Sequence, residues 1–86
     1  MMKNKVLVDL IVPEIDEEYS VYLPINKKIG NIIILLNKAI YELTNGDFEL
    51  SSTNSLYNKD TCERYSFDTL LFNTNIRNGT RLILIS

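Results

Sequence analysis

The feature that most constrains the fold is one long amphipathic segment, residues 25–43. Its apolar side chains recur at steps of three and four, which puts them on one stripe of a helix: Ile29, Ile32, Ile33, Leu36, Ile40 and Leu43. Asn26 is a candidate N-cap, with Lys28 as the alternative start, and Gly46 suits the left-handed residue that follows a helix. No other stretch has helical spacing over this length, so we expect one helix among strands.

Strands are predicted at both ends of the chain. Lys5–Val12 and Arg81–Ile85 alternate and are apolar on both faces, as central strands are. Residues 19–23 also alternate and are expected to form a hairpin with the first strand across an acidic, solvated turn at residues 13–18.

Between the helix and the last strand the signals are shorter. Strand candidates are residues 47–50, 55–57 and 63–67. Residues 70–75 are predicted to be a loop or a short 3₁₀ turn that carries Leu71 and Phe72 inward, followed by Ile76 in the core. Asn78-Gly79 is the strongest turn dipeptide of the chain.

Two central strands that pair in parallel need a crossover connection, and the only predicted helix lies between them. The resulting order, strand-strand-helix-strand-strand-strand, is the β-grasp arrangement. We therefore expect an α+β fold, with a mixed sheet of four to five strands and one helix packed across one face. With 86 residues, the chain is long enough for one domain, 1–86.

Composition and charge exclude several classes of function. The net charge is −2, which gives no attraction to nucleic acid, and no apolar run is long enough for membrane insertion. The N-terminus is a poor signal peptide, so a cytoplasmic location is expected. Cys62 is the single cysteine and there is no histidine, so no catalytic Cys-His or Ser-His pair can form. The three glycines are isolated, and we expect no enzyme activity, no metal and no cofactor.

The C-terminal part carries a resemblance to a known family. The segments Leu56-Tyr57-Asn58-Lys59-Asp60 and Ile76-Arg77-Asn78-Gly79-Thr80-Arg81-Leu82, with Leu71 five residues before Ile76, resemble the ubiquitin-like superfamily, and most of all its YukD-type bacterial members. This resemblance implies a small cytoplasmic protein associated with a type VII secretion system.

The functional hypotheses follow from that resemblance. The sequence ends at Ile85-Ser86 without the Gly-Gly through which ubiquitin and sulfur carriers react. A non-catalytic adaptor that binds a protein partner, such as a secretion-system component, is therefore favoured over a carrier or modifier protein. A third alternative is a structural subunit that forms a homodimer.

The candidate binding residues are apolar side chains that the predicted alternation leaves facing solvent. If the helix covers Val6, Val8, Val21, Leu82 and Leu84, the opposite sheet face carries Leu7, Ile11, Tyr22, Ile83 and Ile85, with Tyr57 beside them. A second candidate is the helix pair Ile34 and Tyr41, which lies opposite the buried stripe. Contiguous apolar patches beyond roughly 300–600 Å² are uncommon on monomers, and larger ones mark interaction sites.

Overall fold

A computed structural model describes residues 4–48 and 54–85 of the chain. In order, the elements are β1 (Lys5–Val12), a 3₁₀ turn (Pro13–Ile15), β2 (Glu17–Pro24), α1 (Ile29–Leu43), β3 (Ser55–Asn58), a second 3₁₀ turn (Leu71–Asn73) and β4 (Arg81–Ile85). The four strands form one sheet in the order β2-β1-β4-β3. β1 and β4 are parallel, and the other two pairings are antiparallel. The predicted β-grasp architecture is confirmed.

One hydrophobic core lies between α1 and the sheet. The helix contributes Ile29, Ile32, Ile33, Leu36 and Ile40, and the sheet contributes Val8, Leu10, Val12, Leu23, Leu56, Leu82 and Leu84. Val6, Tyr19 and Val21 pack against this core at its margin. The predicted alternation of the three longer strands is therefore confirmed. Ile76 is fully buried, also as predicted.

The helix starts at Ile29 rather than near Asn26, and Lys28 is its N-cap residue. No side chain caps this end. Instead, the N–H groups of Ile29 and Gly30 donate to the carbonyls of Thr69 and Phe67, at 2.9 and 3.0 Å. The neighbouring loop thus satisfies donors that the first helical turn leaves unpaired, which is why no Ser, Thr or Asp cap is needed here.

The helix ends in a left-handed cap, with Asn45 at a φ of 54° and Gly46 at 88°. The N–H of Gly46 donates to the carbonyl of Tyr41, and that of Asn45 donates to Glu42. This is the Schellman pattern, and Asn45 takes the first left-handed position that we assigned to Gly46. The prediction that Leu43 is a core residue is wrong, because the side chain is 66% exposed at the final helical position. Phe48 enters the core instead, after the chain has reversed.

Three other predictions for the second half of the chain need correction. Residues 63–67 are not a strand: Arg64 makes one isolated bridge to Tyr57, and the turn before it contains Cys62 at a φ of 63°, which breaks the extended pairing. Phe72 is 64% exposed, because successive side chains of a 3₁₀ turn point about 120° apart and only Leu71 faces the core. Of the predicted strand 47–50, residues 47 and 48 are not part of a strand, and 49–50 lie outside the described residues.

The Asn78-Gly79 turn holds the two central strands together. Gly79 has a φ of 88°, which glycine adopts without steric cost. Its N–H donates to the carbonyl of Leu7, while the N–H of Leu7 donates to Oδ1 of Asn78, both at 2.8 Å. One further bond, from the N–H of Asp9 to the carbonyl of Thr80, leads into the parallel ladder. The turn therefore fixes the register of β4 on β1.

The helix phase gives a direct test of the core. Leu36 is 6% exposed, whereas Ile34 is 65% exposed. We expect Leu36→Ala to lower the free energy of unfolding by about 2–5 kcal/mol, because it leaves a cavity in the core. Ile34→Ala should lower it by less than about 0.5 kcal/mol. Urea denaturation of both variants measures the difference, and equal losses would show that the helix is rotated relative to the sheet.

Candidate protein-binding face

The sheet face turned away from α1, here called the outer face, carries all six sheet residues that the sequence singled out. The strand register and the burial pattern put them on this side: Leu7, Ile11, Tyr22, Tyr57, Ile83 and Ile85. They do not form one continuous patch. Instead, the register sorts them into two apolar groups.

The first group crosses the middle of the sheet. Ile83 of β4 lies directly opposite Ile11 of β1 on one side and Tyr57 of β3 on the other. All three side chains are half-buried. Ile85 follows at the end of β4, opposite Ser55, and is 38% exposed. Cross-strand pairs of this kind stabilise the sheet, yet they still present an apolar surface to solvent.

The second group is the cross-strand pair Leu7 and Tyr22, at the other end of the β1–β2 hairpin. Both are more open, with 39% and 52% of their surface exposed. A pair of apolar side chains on two neighbouring strands is a small surface by itself.

A polar row separates the two groups, and the sequence did not reveal it. Asp9 lies opposite Ser20 on β2 and opposite Arg81 on β4. The hydroxyl of Ser20 donates to Oδ1 of Asp9 at 3.1 Å, and the guanidinium of Arg81 forms an ion pair with Asp60. The row puts an acidic and a basic residue at opposite positions of two neighbouring strands at the centre of the face, while the guanidinium itself lies against Asp60. Alternating positions in β1 and β4 indicated that both residues face outward, but their juxtaposition depends on the parallel register.

The helix pair is exposed but is not brought together. Ile34 is 65% exposed and lines a shallow groove of about 310 Å³, together with Gly30, Ile33 and Phe67. Tyr41 is 42% exposed, and its ring lies over Gly46, where an added Cβ would stand 3.6 Å from the ring. Seven helical residues separate the two by about 10.5 Å along the axis. Ile34 and Tyr41 therefore belong to different parts of the surface.

A buried polar cluster supports β3 from its open edge. The phenol of Tyr65 donates to Oδ1 of Asn75 at 2.6 Å and accepts a hydrogen bond from Nδ2 of Asn58 at 3.1 Å. Oδ1 of Asn58 in turn accepts from the N–H groups of Asp60 and Thr61. These bonds hold the turn that places Asp60 beside Arg81, so the cluster fixes one side of the polar row.

Neither a metal-binding cluster nor a membrane-spanning helix is present in the described residues, 4–48 and 54–85. No group of three or more His, Cys, Asp or Glu side chains within them is arranged to hold a metal ion. Within the same ranges, no helix combines the length and the apolar character needed to cross a bilayer.

Comparison with known proteins identifies the fold but no sequence family. No protein-family model matches the chain, and no curated protein matches it significantly. Among solved structures, the EccD5 ubiquitin-like domain from Mycobacterium xenopi superposes with a TM-score of 0.76 at 17% identity, covering 94% of this chain and 92% of that one. The chain has the ubiquitin-like fold.

Other ubiquitin-like domains agree. The ubiquitin-like domain of the Mycobacterium tuberculosis type VII secretion system protein ECCD1 matches with a TM-score of 0.71 at 13% identity, over 95% of this chain and 98% of that one. A chain of the MycP5-free ESX-5 inner membrane complex matches at 18% identity with a TM-score of 0.69. That match covers 95% of this ubiquitin-like chain but 21% of the larger protein.

We expect the buried cluster to make this ubiquitin-like chain less stable at alkaline pH. Burial raises the pKa of the Tyr65 phenol above its ordinary value of 10.0, although the hydrogen bond from Asn58 acts in the opposite direction. The neutral phenol therefore stabilises the fold fully below pH 10, and this contribution is lost as the pH rises through the folded-state pKa.

We expect Tyr65→Phe to lower the free energy of unfolding by about 1–3 kcal/mol at pH 8, because Asn58 and Asn75 each lose a partner. The difference between parent and variant should shrink as the pH is raised above 10. Urea denaturation at pH 8 and at pH 11 measures this difference. The ionisation of the other tyrosines cancels in it, because both proteins contain them. A difference that stays constant between these pH values would contradict the assignment.

Proposed function

We propose that this chain is a non-catalytic protein-interaction module, that residues 1–86 act as one ubiquitin-like domain, and that it serves as a cytoplasmic accessory of a type VII secretion system. In this proposal the outer face binds a protein partner. The candidate partners are another component of the secretion machinery and a second copy of this chain.

The observation that carries the proposal is the apolar row Ile11, Ile83 and Tyr57 at the middle of the outer face. Isoleucines whose outer surface meets water add little to the core, whereas a partner that covers them removes apolar surface from water at about 25 cal/mol per Å², before the costs of association. The helix also exposes apolar side chains, Ile34 and Leu35 among them, but its candidate pair Ile34 and Tyr41 lies apart and the groove beside Ile34 is open.

The secretion context is supported by the structural comparison. Two of the similar structures are ubiquitin-like domains of EccD proteins, and one of these is named as a type VII secretion system protein. A third belongs to an ESX-5 inner membrane complex, in which a chain about five times as long contains the matching region. Since identities of 13–18% support a common fold, the shared role is an inference from these names and from the YukD-like segments at residues 56–60 and 76–82.

Ile83→Glu tests the proposal. The glutamate would be desolvated at an apolar contact without a counter-ion, so we expect the variant to fold but to lose partner binding. In the source organism, replacing the gene with this variant should reduce export by the secretion system as strongly as deleting it. Leu43→Glu is the matched control, because Leu43 is 66% exposed at the far end of the helix.

Circular dichroism and thermal unfolding establish that both variants fold. Normal export by the Ile83→Glu variant would mean that the outer face is not the binding site. An adenylate or thioester adduct on the parent protein, detected by mass spectrometry after incubation with an activating enzyme, would instead support the carrier alternative.

A further inference from the structure

The centre of the outer face is complementary to itself. Two cross-strand pairs follow each other along the parallel strands β1 and β4. Asp9 lies opposite Arg81, and Ile11 lies opposite Ile83. Each pair has one member on either side of a line that runs between the two strands. The charged pair has opposite signs on the two sides, and the apolar pair has the same character on both.

This arrangement fits a two-fold axis. A second copy that faces the first across an axis lying in the plane of the interface, along the strand direction between β1 and β4, exchanges the two sides of that line. Asp9 of each copy then meets Arg81 of the other, and each Ile11 meets the other Ile83. An axis perpendicular to the strands would instead bring Asp9 onto Asp9 and Arg81 onto Arg81, so the charges select one orientation.

The polar groups at this centre are held in place before any contact forms. Asp9 accepts a hydrogen bond from Ser20, and Arg81 is paired with Asp60 at the opposite margin. Each therefore has a partner within its own chain, on the side away from the line between β1 and β4. The exposed part of each group remains free to interact across the interface.

The size of the face predicts a weak dimer. Four strands about 4.8 Å apart give a contact roughly 15–20 Å wide, and β3 and β4 are short. The buried area falls below the ~800 Å² per partner of a standard stable interface, in the range of transient complexes.

We propose that the partner on the outer face is a second copy of this chain, which docks through Ile11 and Ile83 and is oriented by reciprocal Asp9–Arg81 ion pairs. This inference rests on the proposed function only in taking the outer face as a docking surface. It adds the identity of the occupant and the symmetry of the complex.

Charge reversal with cross-complementation tests the proposal. The variants Asp9→Arg and Arg81→Asp each place like charges across the axis, so each should weaken self-association by at least about tenfold in sedimentation equilibrium. An equimolar mixture of the two should form a heterodimer about as stable as the parent dimer, because each Arg then faces an Asp. The double variant D9R/R81D should self-associate again. Raising the salt concentration should weaken the parent dimer.

Two controls accompany the reversals. Glu42→Arg changes the charge by the same amount as Asp9→Arg, on the exposed face of the helix, and Leu43→Ser removes an exposed apolar side chain at the end of the helix. Both should retain the parent dissociation constant. If either reversal fails to fold, the neutral variants Asp9→Asn and Arg81→Gln replace it, and each should weaken the dimer and reduce its salt dependence.

A parent protein that stays monomeric at millimolar concentration overturns the proposal. So does a dimer that the single reversals leave intact, or a mixture that does not associate. If self-association is absent and Ile83→Glu still abolishes export, the outer face binds a different protein and the proposed function stands. If the parent protein does not self-associate and the Ile83→Glu variant exports normally, the outer face is not a docking surface.

Discussion

The parallel pairing of β1 and β4 is the constraint on which the rest of this structure depends. Two parallel neighbours need a crossover, so α1 must lie between them in sequence and across one face in space. The pairing starts at the Asn78-Gly79 turn, where Gly79 donates to the carbonyl of Leu7 and Asn78 accepts from the N–H of Leu7. The side-chain amide of Asn78 thus extends the hydrogen-bond ladder to a point before the first residue of β4. This contact fixes which residues of β1 and β4 lie opposite each other.

The same constraint produces the candidate binding surface. Both central strands are largely apolar on both faces, and among the described residues a helix covers one of these faces. The uncovered side presents Ile11 and Ile83 at the centre of the sheet. Apolar surface alone does not specify a partner, and in this sheet the orientation comes from Asp9 and Arg81, which the parallel register places side by side. Similarity to EccD ubiquitin-like domains shows the fold, while these four residues give the surface its chemistry.

The parts of the fold that follow from simple periodicity were predictable from the sequence. The alternation of β1 and β4 identified Ile83 as an outward residue, and it is opposite Ile11 on the outer face. The predictions failed where local geometry departs from a regular period. Leu43 follows the helical spacing but falls at the helix end, and Phe72 sits on a 3₁₀ turn that directs it to solvent. The Asp9–Arg81 pair was not predictable, because it requires a register between strands about seventy residues apart, which the turn at Asn78 sets.

The measurement that tests the central claim most directly is a map of backbone amide chemical shifts on dilution from millimolar to micromolar concentration, at low and at high salt. If the centre of the outer face is the contact surface, the shift changes concentrate at Asp9, Ile11, Arg81 and Ile83, and they become smaller at high salt. Changes confined to the exposed side of α1, around Ile34, or the absence of changes at any residue of β1 and β4, would contradict the account.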